Sequence, residues 1–288
     1  MLTAAQVDDF RQKGFLAGAV VLSDEEIERL RSELDLVIQG ETTKKPVLHH
    51  NMLGEQSEQV VIQIVNMWMA SEAYRDHAAN RTIAEEVAQL CGTKTLRVFC
   101  DQVQFKLPGN GGPAGWHQDH PCWPILEPAD LVTAWVPLDD ATVETGCMWM
   151  VPGSHKWGNH LDNLSADENF RAVHRRPDLL PANIKIDSVP HEIKKGQVSY
   201  HHCMVWHGSP PNKTSQKRRA IAVHYMPDHT IYVPTGAHPI EPFITVKPGE
   251  KIAGGNFPIV FGGIRGIEWA NRMYESARKL CISIRSLV

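Results

Sequence analysis

From residue 95 onward the chain reads as short β-prone runs separated by proline and glycine, with no long helix between them. This texture limits the fold more than any other feature. The runs fall at 95–106, 131–138, 147–152, 185–189, 198–206, 219–227 and 230–233. Parallel strands need a long crossover, usually a helix, so these strands must pair mainly antiparallel. The expected fold class is mainly β with flanking α-helices, as a sandwich, barrel or jelly roll.

The first 94 residues read as a helical flank. Residues 4–13 place Ala4, Val7 and Phe10 on one face, with Gly14 as the stop. Ser23 followed by Glu26 is a capping box, opening a helix with Ile27, Leu30, Leu34 and Val37 on one stripe and Gly40 at its end. A third helix is expected from Thr82, with Glu85 as capping partner and Ile83, Val87 and Leu90 buried before Gly92. A last helix is expected near 266–280. The stretches 40–60 and 153–184 are long and irregular, and each is either surface decoration or a lid over a pocket. No internal repeat or low-complexity tract is present.

Charge and cysteine usage exclude several classes. A net charge of −4 and a pI near 6.4 give no footprint for nucleic acid or an anionic membrane, and the densest basic run is only Lys217-Arg218-Arg219. Six scattered cysteines without a C-x-x-C pair suit free thiols in a reducing compartment. Neither a signal peptide nor an apolar run of membrane-spanning length is visible, so the expected setting is cytoplasmic. The expected partner is a small-molecule substrate, with a homodimer allowed.

Trp116-His117-Gln118-Asp119-His120 contains a His-x-Asp pair. In an extended strand residues i and i+2 share a face, so His117 and Asp119 could reach one metal together. Among 15 histidines such a pair arises readily by chance, so the downstream context decides. There a turn and a strand lead from Gly196 to His207, and Gly208-Ser209-Pro210-Pro211-Asn212 then turns into a second strand at Arg218. His117, Asp119 and His207 make a set of two histidines and one carboxylate, which leaves three positions open on six-coordinate iron. A 2-oxo acid takes two of these and dioxygen the third. The far carboxylate of a 2-oxo dicarboxylate needs an anchor, for which arginine offers a permanently charged planar fork. Arg218 and Arg219 point to opposite faces of their strand, and residue pattern alone does not choose between them. The glycine-rich stretch Gly109–Gly115 has no following helix to receive a phosphate and reads as a loop into the metal motif.

The combination of His117-Gln118-Asp119, Asp130-Leu131-Val132-Thr133-Ala134-Trp135, Pro152-Gly153-Ser154-His155 and His207-Gly208-Ser209 through Asn212 to Arg218-Arg219-Ala220-Ile221 resembles the phytanoyl-CoA dioxygenase family. The resemblance runs from about residue 100 to 227 and is loose outside it. It implies a double-stranded β-helix (jelly-roll, cupin-like) core over 95–233 with a lid-like insertion near 153–184. Residues 1–94 and 234–288 then flank it within one oxygenase domain, 1–288. It implies Fe(II), 2-oxoglutarate and O2 as cofactor and co-substrates. It selects Arg218, eleven residues after His207, for the 2-oxoglutarate tail, and nominates Ser209 beside it. It also implies a polar contact from the strand before the H-x-D loop, where Gln102, Gln104 and Lys106 share a face; Gln102 matches best and Gln104 next. Trp135 matches an aromatic position lining the pocket.

The activity so implied is hydroxylation of an unactivated C–H bond, with release of succinate and CO2. Related halogenases lack the carboxylate that Asp119 supplies. Desaturation, epoxidation or cyclisation can start from the same site. A non-catalytic jelly-roll binding protein is the alternative from another class, though it would have no use for a 2-oxo acid anchor. His120, His155, His201 and His202 are not needed for the ligand set. Lys44, Lys45, Lys156, Arg171, Arg175 and Arg176 oppose Asp162, Asp167, Glu168 and Asp178 around the expected pocket, while Trp116, Trp123, Trp157 and Phe170 could line an apolar cavity.

Overall fold

The computed structural model describes residues 1–165, 170, 173 and 186–262. The helix expected at 266–280 and most of the insertion at 153–184 therefore lie outside the described residues.

Local signals set the helices. In α1 (Ala4–Lys13) Thr3 and Gln6 form a capping box, and Gly14 closes the helix at φ 84°. In α2 (Asp24–Gln39) Ser23 and Glu26 do the same, Gly40 stops the chain at φ 77°, and Ile27, Leu30, Leu34 and Val37 are the buried stripe. α5 (Arg81–Cys91) starts one residue before the expected Thr82, because the Asn80 side chain caps Ile83 N–H in place of a Thr82–Glu85 box. Two short helices, α3 (Met67–Ala70) and α4 (Glu72–Ala78), precede it.

The flank expected to be helical also carries three strands, β1 (Phe15–Val20), β2 (Leu48–Asn51) and β3 (Val61–Val65). They join β4 (Leu96–Lys106), β7 (Val132–Pro137), β10 (Gln197–His202), β12 (Arg218–Pro227) and β14 (Ile259–Phe261) in one eight-stranded sheet. Its order is β1-β10-β7-β12-β4-β3-β2, with β14 also beside β4. A second sheet holds β5 (Ala114–His117), β8 (Met148–Met150), β9 (Val189–His191) and β11 (His207–Ser209) in the order β5-β11-β8-β9. β6 (Leu126–Glu127) and β13 (Ile231–Tyr232) form a separate pair. All named pairings are antiparallel, as the absence of long crossovers requires.

The expected strand over 198–206 is in fact two. β10 ends at His202, the chain turns over 203–206, and His207 opens β11 in the opposite sheet.

The large sheet has two occupied faces, and central β12 is buried at all ten positions. Val132, Ala134, Ile221, Val223 and Tyr225 pack against Leu30, Leu34, Tyr74, Ile83 and Val87 of the helices. Trp135, Ala220 and Ala222 turn the other way, onto Cys147 and onto Met148 and Met150 of the small sheet. Each fully buried aliphatic side chain contributes about 1.5–3 kcal/mol, so both layers hold the large sheet rigid. This is a jelly-roll core, and the space between its sheets receives His117, Asp119 and His207. No described helix is long and apolar enough to cross a membrane.

Candidate metal centre

His117 closes β5 and His207 opens β11, and their register places the two opposite each other with ring centroids 4.1 Å apart. Each ring turns Nδ1 to the carbonyl two residues back, His117 to Gly115 at 2.8 Å and His207 to Val205 at 3.0 Å. A carbonyl can only accept, so Nδ1 carries the proton and the Nε2 lone pair of each ring faces outward. Burial, and then the adjacent His117 ring, push His207 well below the ordinary imidazole range and keep it neutral.

Asp119 reaches them by a turn and not by strand alternation. β5 has ended at His117, and Asp119 takes helical dihedrals (φ −70°, ψ −52°) at the head of a 3₁₀ turn over His120–Cys122. Its Oδ1 lies 3.7 Å from His117 Nε2 and 3.6 Å from His207 Nε2. Burial works to raise this carboxyl, but the hydrogen bond from His201 and the polar groups around it outweigh that and hold it well below the ordinary carboxylate range. The three donor atoms fall within 4.8 Å of one another. Two neutral imidazole nitrogens and a carboxylate oxygen with open lone pairs fit iron(II) and leave half of an octahedron for other ligands.

Oδ2 of Asp119 turns away from the histidines. It accepts from Thr133 Oγ1 at 3.1 Å and His201 Nε2 at 3.2 Å, and Thr133 is itself 2.8 Å from His224 Nδ1. His201 pairs with Thr133 across β10 and β7, and Thr133 with His224 across β7 and β12, so the three form one row on the sheet. Read from the sequence, His201 is a spare histidine and His224 carries no signal. The row exists only once three distant strands are in register. The other histidines set aside earlier bond to main chain: His120 to Leu126, His155 to Arg11, and His202 to Met204.

The donors border a cavity of about 210 Å³ between the sheets. Gln102, Gln104, Ser209 and Trp135, all expected near the co-substrate, border it too. So do Met52, Gln63, Cys122, Trp123 and Met148, of which only Trp123 was expected. Gln63 donates from Nε2 to Gln102 Oε1 at 2.8 Å. Trp116, Trp157 and Phe170 instead pack with Trp206 and Val151 in a separate cluster, because Trp116 alternates to the outer face of β5. Lys44, Lys45, Lys156 and Asp162 are exposed. Asp167, Glu168, Arg171, Arg175, Arg176 and Asp178 lie outside the described residues.

The two arginines separate cleanly. Arg218 shares the β12 face of Ala222 and His224, which border the cavity, and its Cζ lies 5.8 Å from the Trp135 ring. Arg218 does not border the cavity directly. It is 1% exposed, and its Nε and Nη1 have no hydrogen-bond partner among the described residues. Burial lowers it to about 10, which leaves it a cation at neutral pH. A buried guanidinium with unmet donors is costly until an anion reaches it. Arg219 turns to the opposite face, where its Nε and Nη2 each meet an Asp139 oxygen at 2.8 Å. Lys106, third on the Gln102 and Gln104 face, is buried and donates to the Ser209 and Pro210 carbonyls, which holds the turn carrying Ser209.

Jelly-roll core and donor set together define a class, the iron(II)- and 2-oxoglutarate-dependent dioxygenases. The family model for phytanoyl-CoA dioxygenase (PhyH) matches residues 10–220, and the chain belongs to that family. It is accordingly an enzyme that uses iron(II), 2-oxoglutarate and dioxygen, and the non-catalytic alternative drops out. Methylphosphonate hydroxylase of Gimesia maris is 26% identical over 228 residues, 78% of this chain and 80% of its own length. Peroxisomal phytanoyl-CoA dioxygenase of Rattus norvegicus is 25% identical over 236 residues, 78% of this chain and 68% of its own. The crystal structure of SnoK, a non-haem alpha ketoglutarate dependent carbocyclase from nogalamycin biosynthesis, matches with TM-score 0.72 and 26% identity, covering 90% of this chain and 96% of that one.

Proposed function

We propose that this enzyme hydroxylates an unactivated C–H bond of a small organic molecule, with iron(II) held by His117, Asp119 and His207 and with succinate and CO2 released from 2-oxoglutarate. The convergence of three donor atoms within 4.8 Å on the cavity wall carries this reading. These three residues would hold iron(II), which with 2-oxoglutarate and dioxygen would supply the oxidant for the C–H bond. The chain's own task is binding, orientation and exclusion of water. His117 and His207 offer Nε2 because main-chain carbonyls hold their Nδ1 protons. Arg218 takes the tail carboxylate of 2-oxoglutarate as a charge-assisted fork, with Ser209 beside it. Gln102 and Gln104 contact the co-substrate from β4, and Trp135 packs against it.

Trp123, Met52 and Met148 give the substrate an apolar wall, and no lysine or arginine among the described residues borders the cavity. This supports a substrate that is uncharged where it meets these residues, unlike the anion in the name of the Gimesia maris relative. Asp119 fills the place that halide would need, which favours hydroxylation over halogenation. Ring closure is a second reading, favoured by the likeness to the carbocyclase SnoK. Residues 1–288 act as one oxygenase domain in this reading, and the free state of all five described cysteines supports a reducing, cytoplasmic setting.

The test is incubation with iron(II), 2-oxoglutarate, isotopically labelled dioxygen and a small-molecule extract of the source cells. A product carrying one labelled oxygen supports hydroxylation, and loss of two hydrogens without label supports ring closure. Absence of succinate under every condition contradicts both.

A further inference from the structure

A carboxylate has only acceptors, so both groups on Asp119 Oδ2 must donate to it. His201 therefore carries its proton on Nε2, 3.2 Å from that oxygen. Thr133 has a single hydroxyl proton, directed to Oδ2 at 3.1 Å. The 2.8 Å contact between Thr133 Oγ1 and His224 Nδ1 then has one sense: His224 donates and the hydroxyl accepts. His224 thus fixes the direction of the Thr133 proton. Thr133 is 0%, His201 2% and His224 4% exposed, so water does not compete for these bonds. The three stand in register on β10, β7 and β12, the rigid part of the large sheet.

We propose that Thr133 and His201, backed by His224, tie up Oδ2 of Asp119 so that the carboxylate offers a metal Oδ1 alone. All three are positioning residues, and the proposal rests on the reading of His117, Asp119 and His207 as the metal ligands. A carboxylate free at both oxygens binds a metal through one or through both. Chelation through both would occupy a position that 2-oxoglutarate or dioxygen needs. The clamp keeps that position open, and it explains why a histidine not required as a ligand is buried against one.

The experiment uses cobalt(II), which is stable in air and coloured, as the probe in the full-length protein. Its visible absorption weakens as coordination number rises, and 2-oxoglutarate is then titrated into the cobalt-loaded protein. Thr133→Val keeps the shape but loses the donor. Its cobalt absorption is expected to be weaker than wild type before 2-oxoglutarate is added, and its affinity for 2-oxoglutarate to fall about tenfold or more. Thr133→Ser, which retains the hydroxyl, is expected to restore both readouts. His201→Phe removes the second donor and is expected to behave as Thr133→Val; it provides the same readout should Thr133→Val not fold. Wild-type spectrum and 2-oxoglutarate affinity in a folded Thr133→Val or His201→Phe protein overturn the proposal. His117→Ala forms a separate arm. Unaltered cobalt binding there removes the ligand assignment itself, whereas loss there with no effect at Thr133 and His201 rejects the clamp alone.

Discussion

Arg218 and Arg219 show how one step along a strand decides a side chain's task. Arg218 is buried with unmet donors on the cavity-facing side, and Arg219 is paired with Asp139 on the helix-facing side. Arg218→Ala is expected to raise the 2-oxoglutarate concentration for half-maximal succinate formation on the order of 10–100-fold, the worth of a hydrogen bond to a charged group at about 1.5–3 kcal/mol. Arg219→Ala is expected to leave that concentration within about twofold and to lower stability by about 1.5–3 kcal/mol in denaturant melts. The reverse pattern would move the anchor to Arg219. The sequence made these residues visible because Arg218 follows His207 by eleven residues, the spacing that the family resemblance marks. It did not show how Asp119 reaches its partners, since a helical φ,ψ pair at residue i+2 looks the same in sequence as a strand. Nor did it show His201 and His224 as neighbours of Thr133, because register between strands is settled by the whole sheet.

At the scale of elements, β11 is three residues long and its middle residue is Gly208. A Cβ there would stand 2.8 Å from Phe170 Cε2 and 3.0 Å from the carbonyl oxygens of Ala114 and Gly115. The Gly115 carbonyl is the one that orients His117. Gly208→Ala is therefore expected to push β11 from β5, costing about 1–3 kcal/mol in overpacking and disturbing both histidines at once. Succinate formation should fall about tenfold or more while the circular dichroism spectrum stays native. Wild-type activity in that variant would show that the β5–β11 spacing does not matter. Helices were the legible elements, because capping boxes and glycine stops are local: Ser23 with Glu26 and the stops at Gly14, Gly40 and Gly92 stand where expected. Strands β1–β3 were not. They add to the large sheet on its outer flanks, and the burial pattern of Phe15–Val20 does not alternate, so no period-two signal exists to read.

Across the whole molecule, burial holds four histidines outside the candidate centre at about 4: His77, His191, His202 and His238. Each sits below its unfolded value of 6.5, so as pH falls through that range the unfolded chain binds protons that the native state refuses. Stability is present above the unfolded value and is lost as pH falls toward the folded one. Asp101 works in the opposite sense, since burial raises it to about 7 and its protonation favours the native state on acidification. One such group does not offset four, so the metal-free protein is expected to melt several degrees lower at about pH 5 than at about pH 7. An equal or higher melting temperature at the lower pH would show that these rings are not held neutral. The central claim, that His117, Asp119 and His207 together make an oxidative centre, is tested most directly by succinate formation from 2-oxoglutarate in air with added iron(II). The wild-type protein should release succinate, and His117→Ala, Asp119→Ala and His207→Ala should each lose nearly all of it while remaining folded. Full turnover by any one of the three variants would contradict the claim.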